Sequence, residues 1–184
     1  VKGEYLVNIM APECAKQEIG EFAAALEPKI PGTGTARPKG LDGLPRECMV
    51  ASSWRYIKGP LAAQNESPFL EGEFWGFGGA GEGTSATEAY SAKYGIAPAI
   101  SKLVIIGLGK APEGGTLEES ILALFNDYLK DVRRDGLTIE CKNDAGRWFL
   151  FKRKGAVAAL VLGEQDRDAA RARLETALAH TSTR

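Results

Sequence analysis

Gly76, Gly78 and Gly81 stand at the spacing G-x-G-x-x-G, a pattern that lets a backbone approach a phosphate closely. They belong to a stretch with six glycines in the twelve residues Gly72–Gly83, Gly79 among them. Ser85-x-x-Glu88 then has the form of a capping box, so the loop reads as leading into a helix that Gly95 ends. Charge argues against an anionic ligand. From Gly59 to Ala92 there are five Glu, at 66, 71, 73, 82 and 88, and no Lys or Arg. A dinucleotide fingerprint wants a very hydrophobic strand before it and an acid about 20 positions later. Here Phe69–Trp75 carries two Glu, and Ser101–Gly109 offers no Asp or Glu. The Gly-Lys-Ser/Thr ending of a P-loop is missing as well. Gly76, Gly78, Gly79, Gly81 and Ser85 therefore form a candidate ligand loop for which the sequence names no cofactor. The plainer reading is a tight strand-to-helix connection.

Glu71 and Glu73 precede this loop. In a strand over Phe69–Phe77 they point to one side, about 6.5–7 Å apart at Cα. Paired carboxylates suit acid/base chemistry or a hard cation, and Trp75 on the same face would add a flat platform for a sugar or base. The plainer reading is a solvated strand face ending in an amphipathic Trp.

A second constellation is Arg147-Trp-Phe-Leu-Phe-Lys-Arg-Lys154, which mixes aromatic and basic side chains. From Tyr128 to Lys154 eight Lys/Arg face four Asp/Glu, a local excess of four positive charges. Single-strand nucleic-acid binders use such mixtures, but the aromatic run lacks the Gly of the RNA-recognition sheet signature. Alternation sends Trp148 and Leu150 to one face and Phe149 and Phe151 to the other. Lys152, Arg153 and Lys154 then cap a hairpin, where charge blocks edge-to-edge pairing. Trp148, Lys152, Arg153 and Lys154 are the candidate protein interface.

Nucleophiles offer less. Cys14 sits near a helix start, where a thiol pKa falls, but the one histidine, His180, lies far from it in sequence. Ser52, Ser53 and Ser85 lack a G-x-S-x-G elbow. No catalytic residue and no metal ligand set is assigned. Cys14, Cys48 and Cys141 are an odd set without a C-x-x-C pair, which points to free thiols in a reducing intracellular compartment.

The elements that must position these residues follow from periodicity. Tyr5–Met10 alternates as a first strand, and Ala15, Ile19, Phe22, Ala23 and Leu26 lie at helical spacing after Pro12. Residues 31–45, rich in Gly and Pro, form a loop. Cys48–Ile57 and Phe69–Phe77 read as strands, joined by a polar connection around Gln64-Asn65-Glu66. Leu103-Val-Ile-Ile106 is the most hydrophobic run and reads as a central strand. Thr116-x-x-Glu119 opens a helix whose stripe is Leu117, Ile121, Leu124, Phe125, Tyr128 and Val132. Lys130, Arg133 and Arg134 complement its C-terminal dipole, and Gly136 stops it. Leu137–Cys141, Arg147–Lys152 and Ala156–Leu162 form a three-strand meander, and Asp166–Ala179 is the last helix. Strands bunched into hairpins favour an α+β fold, with about four helices on a mixed, mostly antiparallel sheet in a single domain over residues 1–184.

Composition bounds the function. The 184 residues are 44% hydrophobic and 26% charged, as in ordinary soluble globular proteins. A formal charge of -1 gives no global field to recruit nucleic acid. No apolar run approaches the roughly 18 residues of a membrane span. The chain begins at Val1 without Met, and nothing at its N-terminus reads as a signal or transit peptide. The expectation is a non-catalytic protein acting through a protein–protein interface as a subunit, adaptor or inhibitor, with self-association possible. The alternative is a small-ligand- or metal-dependent enzyme built on loop 76–83 and the Glu71/Glu73 pair.

Overall fold

The computed structural model describes residues 16–29, 39–77, 87–109 and 116–181. The expected first strand at Tyr5–Met10 lies outside them, as do Gly78, Gly79, Gly81 and Ser85. The chain divides into two compact units, Val1–Lys39 and Gly40–Arg184. In the first unit, helix α1 (Lys16–Leu26) leads into a 3-10 turn at Glu27–Lys29, which contains Pro28. That agrees with the helical spacing of Ile19, Phe22, Ala23 and Leu26.

The second unit is α+β. Among its described residues the seven strands are β1 (Arg55–Lys58), β2 (Glu88–Tyr94), β3 (Ser101–Gly107), β4 (Lys130–Asp135), β5 (Thr138–Lys142), β6 (Trp148–Lys154) and β7 (Val157–Glu164). Among the described residues three helices accompany them: α2 (Pro60–Glu66), α3 (Thr116–Tyr128) and α4 (Arg167–Thr181). The strands form one sheet in the order β1-β2-β3-β7-β6-β5-β4, antiparallel at every pairing. After β3 the chain crosses through α3 to the far edge, and the meander β4–β7 returns it to the partner that β3 lacks.

The central strands β3 and β7 read as continuous apolar runs because both sheet faces are covered. Val104, Ile106, Leu160, Phe151 and Ile139 point to one face, under Leu117, Ile121 and Phe125 of α3 and under Leu70 and Trp75. Leu103, Ile105, Leu150 and Val161 point to the other, under Ala170, Leu174, Ala177 and Leu178 of α4 and under Leu41 and Leu44. Alternation at a period of two sorts the side chains. The inner position of Leu103–Ile106, the meander and the last helix all agree with their sequence patterns.

Five expectations are corrected. Residues 87–95 are not a helix. Glu88–Tyr94 is a strand, since Ala89, Ala92 and Tyr94 bury into the two faces and the backbone pairs with β1 and β3. Phe69–Phe77 is not a strand but two 3-10 turns, Pro68–Leu70 and Glu73–Trp75. Gly76, at φ +76°, closes the second turn in the left-handed region that favours glycine. The helix opened by Thr116 ends at Tyr128, so Val132, Arg133 and Arg134 lie in edge strand β4. There Asp131 takes φ +54° at a register shift, and Gly136 turns β4 into β5. Finally, within the Gly/Pro-rich stretch, Lys39–Gly43 is a 3-10 turn and Leu41 and Leu44 are core residues. The second expected strand is shorter than Cys48–Ile57, with only an isolated bridge from Met49 to Tyr94 before β1.

Among the described residues no helix is long and apolar enough to cross a membrane, and Cys48 and Cys141 are free thiols.

Candidate functional site: two depressions beside the 3-10 turns

Pro60 starts α2 and Pro68 starts the first 3-10 turn, where each ring fits the missing N–H of an opening position. The Ser67 hydroxyl accepts from the Phe69 N–H at 3.3 Å. These short elements lie on the α3 side of the sheet and border two depressions.

The first depression, about 280 Å³, is lined by Pro60, Gln64, Leu70, Glu71, Gly72, Glu73 and Phe77. It brings both carboxylates of the expected pair to one rim, although no strand aligns them. Gln64 Nε2 donates to Glu71 Oε1 at 3.0 Å, and both Glu are exposed. Trp75 does not share their face. It is buried, its Nε1 donates to the Phe69 carbonyl at 2.9 Å, and its ring packs against Phe74 and Phe151. A buried indole needs such a partner, so Trp75 is a core anchor and offers no platform. Among the described residues no group of three or more His, Cys, Asp or Glu is placed to hold a metal ion. Glu88, expected to cap a helix, instead accepts from Tyr56 Oη at 2.7 Å and lies 3.5 Å from Lys58 Nζ. Burial first, and then this hydrogen bond, push the Tyr56 hydroxyl well above its ordinary pKa.

The second depression, about 320 Å³, is more open and includes Ser67, Pro68, Phe69, Ile100, Phe149 and Leu162 on its walls. Lys93, Lys102 and Glu66 border it too. The floor is a row of cross-strand neighbours: Lys93 pairs with Lys102, Lys102 with Leu162, and Leu162 with Phe149. Lys102 Nζ lies 2.8 Å from Glu66 Oε1, and Ser91 Oγ donates to the same oxygen at 2.8 Å. The turn between β2 and β3 forms the outer wall. Gly95 holds it at φ +97°, and a Cβ there would lie 2.3 Å from the Ala99 carbonyl oxygen. This turn presents Ile96 at 85% exposure and Ile100 at 39%.

The basic hairpin is tied into the body. Because β6 runs to Lys154, Lys152 and Arg153 are ladder residues on opposite faces and not a turn tip. Lys152 Nζ donates to Glu175 of α4. Arg153 Nε and Nη2 donate to Glu118 of α3 at 2.6 and 3.3 Å, and Glu118 is fully buried. Burial opposes ionisation of Glu118, but the Arg153 hydrogen bonds outweigh it and hold the carboxyl below the usual range. Trp148 is half-buried, with Lys142 Nζ 4.4 Å from its ring centre and the Arg167 guanidinium carbon 5.3 Å away. Lys154 alone of the four is exposed.

On the α4 side, buried Glu140 accepts from Arg167 and Arg171, and Glu164 accepts from Arg173, Ser101 and the Gln165 N–H. In both, burial works against the charge and the hydrogen bonds prevail, so each pKa is lowered. Burial, and next the charge of Glu140, push the Cys141 thiol up to about 12, which makes it inert as a nucleophile.

Sequence reasoning missed the second depression, because its lysines, its apolar floor and its turn come from five separate stretches. One signal was present: Ile96 and Ile100 flank a Pro-containing turn, where exposed apolar side chains are out of place.

The fold and these surfaces define an α+β protein with a seven-strand antiparallel sheet covered on both faces. Comparison with protein-family models, curated proteins and solved structures finds no match for the chain.

Proposed function

We propose that this protein works by binding another protein, as a subunit, adaptor or inhibitor, and that the second depression lies at the centre of the contact. One observation carries the reading. Phe69 joins exposed Tyr128 on one side to Phe149 on the other, with ring centres 6.4 and 5.4 Å away, and Ile100 continues the band. Tyr128 is 69% exposed and Ile96 beyond the band 85%. A continuous apolar strip rimmed by charge is the usual mark of a protein-binding surface. The charges that this fold buries at Glu118, Glu140 and Glu164 are committed to ion pairs within the chain. The test is the state of the protein in its native source. Mild cross-linking and sizing should place it in a complex of fixed stoichiometry that Ile96→Asp disrupts. A free monomer that turns over or retains a small molecule would overturn the proposal.

A second reading rests on the first depression. Glu71 and Glu73 share a rim with Gln64 and lie just before the glycine loop, which suits a small ligand bound for enzymatic chemistry. Equilibrium dialysis with divalent cations and nucleotides, on wild type and Glu71→Gln/Glu73→Gln, distinguishes it. Binding lost in the double variant would favour the enzyme.

A further inference from the structure

The geometry points to the chemistry of the partner: the second depression takes an extended, acidic protein segment, with a carboxylate set against Lys93 and a bulky apolar side chain set between Leu162, Phe149 and Phe69. This rests on the protein-binding reading and sharpens it to one surface and one kind of occupant.

Two observations carry it. The first is charge. Lys93 and Lys102 stand directly opposite each other in the β2–β3 ladder, on one face of the sheet. Like charges so placed destabilise a sheet unless anions compensate them. Glu66 compensates Lys102. Among the described residues no carboxylate pairs with Lys93, which is exposed. At Gly163, which lines the depression, Arg147 Nη1 donates to the backbone carbonyl at 3.1 Å, and its Nη2 donates to the Pro98 carbonyl at 2.9 Å. Carbonyls fix the guanidinium and leave its charge unneutralised. Among the described residues Lys93 and Arg147 thus leave two positive charges in excess, and an incoming carboxylate set against Lys93 neutralises one of them.

The second observation is the order of the floor. From Lys93 the row runs across β3 to Leu162 on β7 and Phe149 on β6. Strands lie about 4.8 Å apart, so the apolar end is roughly 10–14 Å from the lysine. An extended chain rises about 3.3 Å per residue and alternates its side chains, so the groove matches an acid and an apolar residue about four positions apart, on one side of the segment. The walls narrow the choice further. Pro68 and Phe69 on one side and Ile100 on the other are apolar, which favours Leu, Ile, Met or Phe over a polar residue.

The test is selection of random decapeptides displayed on phage against the full chain, with selection against Ile100→Asp to remove peptides that bind elsewhere. The expected winners carry Asp or Glu about four positions from Leu, Ile, Met or Phe, and have net negative charge. A synthetic winner, followed by fluorescence polarisation, should bind at least about tenfold more weakly to Ile100→Asp and about fivefold more weakly to Lys93→Glu. Raised salt should narrow the second difference, because it screens the charge. Exchanging the peptide's acid for Lys should restore binding to Lys93→Glu, a rescue that a merely misfolded variant cannot show. Winners that are neutral or basic, winners that bind both variants as well as wild type, or no enrichment over an unrelated protein would each overturn the assignment. A stable native complex insensitive to both substitutions would sink this groove, as occupant site and as centre of the contact, while leaving intact the reading that the protein binds another protein.

Discussion

Arg153→Ala separates an interface cation from an internal one. The guanidinium carries two hydrogen bonds to Glu118, whose side chain has no exposure, while that of Arg153 is 16% exposed. Removing one partner of a buried pair strands the other, and such losses run to about 3–5 kcal/mol. Replacing both with apolar groups of similar volume is often neutral, or stabilising by about 1–4 kcal/mol. Arg153→Ala is therefore expected to lower unfolding free energy by about 3 kcal/mol at neutral pH, and Glu118→Met/Arg153→Met to recover most of it. Urea titration followed by tryptophan fluorescence, with a common m-value, gives both numbers. The pH dependence adds a check of sign. In wild type the Glu118 pKa lies below its ordinary 4.5, so the unfolded state binds the proton first and stability falls on acidification. In Arg153→Ala only the backbone hydrogen bond of Glu118 and the charge of Arg134 still oppose burial, so that pKa lies higher than in wild type and stability falls less on acidification. The gap between the two proteins should thus narrow from pH 7 toward pH 4.5. A penalty under about 1 kcal/mol, or a double variant as unstable as the single, would refute the buried-pair argument.

Two further outcomes follow from the same structure. Glu118, Glu140 and Glu164 all have lowered pKa values, so their contribution is complete above about pH 4.5 and is lost as pH falls through the folded values. Acid unfolding followed by circular dichroism should show this, and Glu140→Gln, already unstable at pH 7, should flatten the profile. Gly95→Ala places a Cβ against the Ala99 carbonyl at a left-handed φ, so thermal unfolding should reveal a loss of about 1–3 kcal/mol, where the same change at open Gly20 is mild.

What the sequence determined by itself is local. The run Leu103–Ile106 became an inner strand, because four adjacent apolar residues need both faces covered. Leu117, Ile121 and Phe125 reached the core from α3, and Ala170, Leu174, Ala177 and Leu178 from α4, because helical spacing already gathers them on one side. Even the buried pair left a trace: Glu118 lies three residues before Ile121 and seven before Phe125, on the stripe itself. The antiparallel meander and the α+β class were legible for the same reason, since hairpins join neighbours in sequence.

Only the tertiary structure decided the rest, and the physical cause recurs. Glu88–Tyr94 has the look of a capped helix, yet pairing with β1 and β3 supplies backbone hydrogen bonds that no local pattern records. Phe69–Phe77 has the alternation of a strand but finds no neighbour to pair with, so Pro68 and Gly76 fold it into 3-10 turns and Trp75 turns inward. Lys152 and Arg153 resemble a solvated turn until Glu175 and Glu118 arrive from helices on opposite faces. The groove beside Phe69 is the extreme case, since Lys93, Lys102, Leu162 and Phe149 become neighbours only when four strands align in register. Periodicity specifies which face of an element is apolar, but the partner that covers that face is chosen by contacts distant in sequence, and a surface assembled from such contacts exists only in the folded chain.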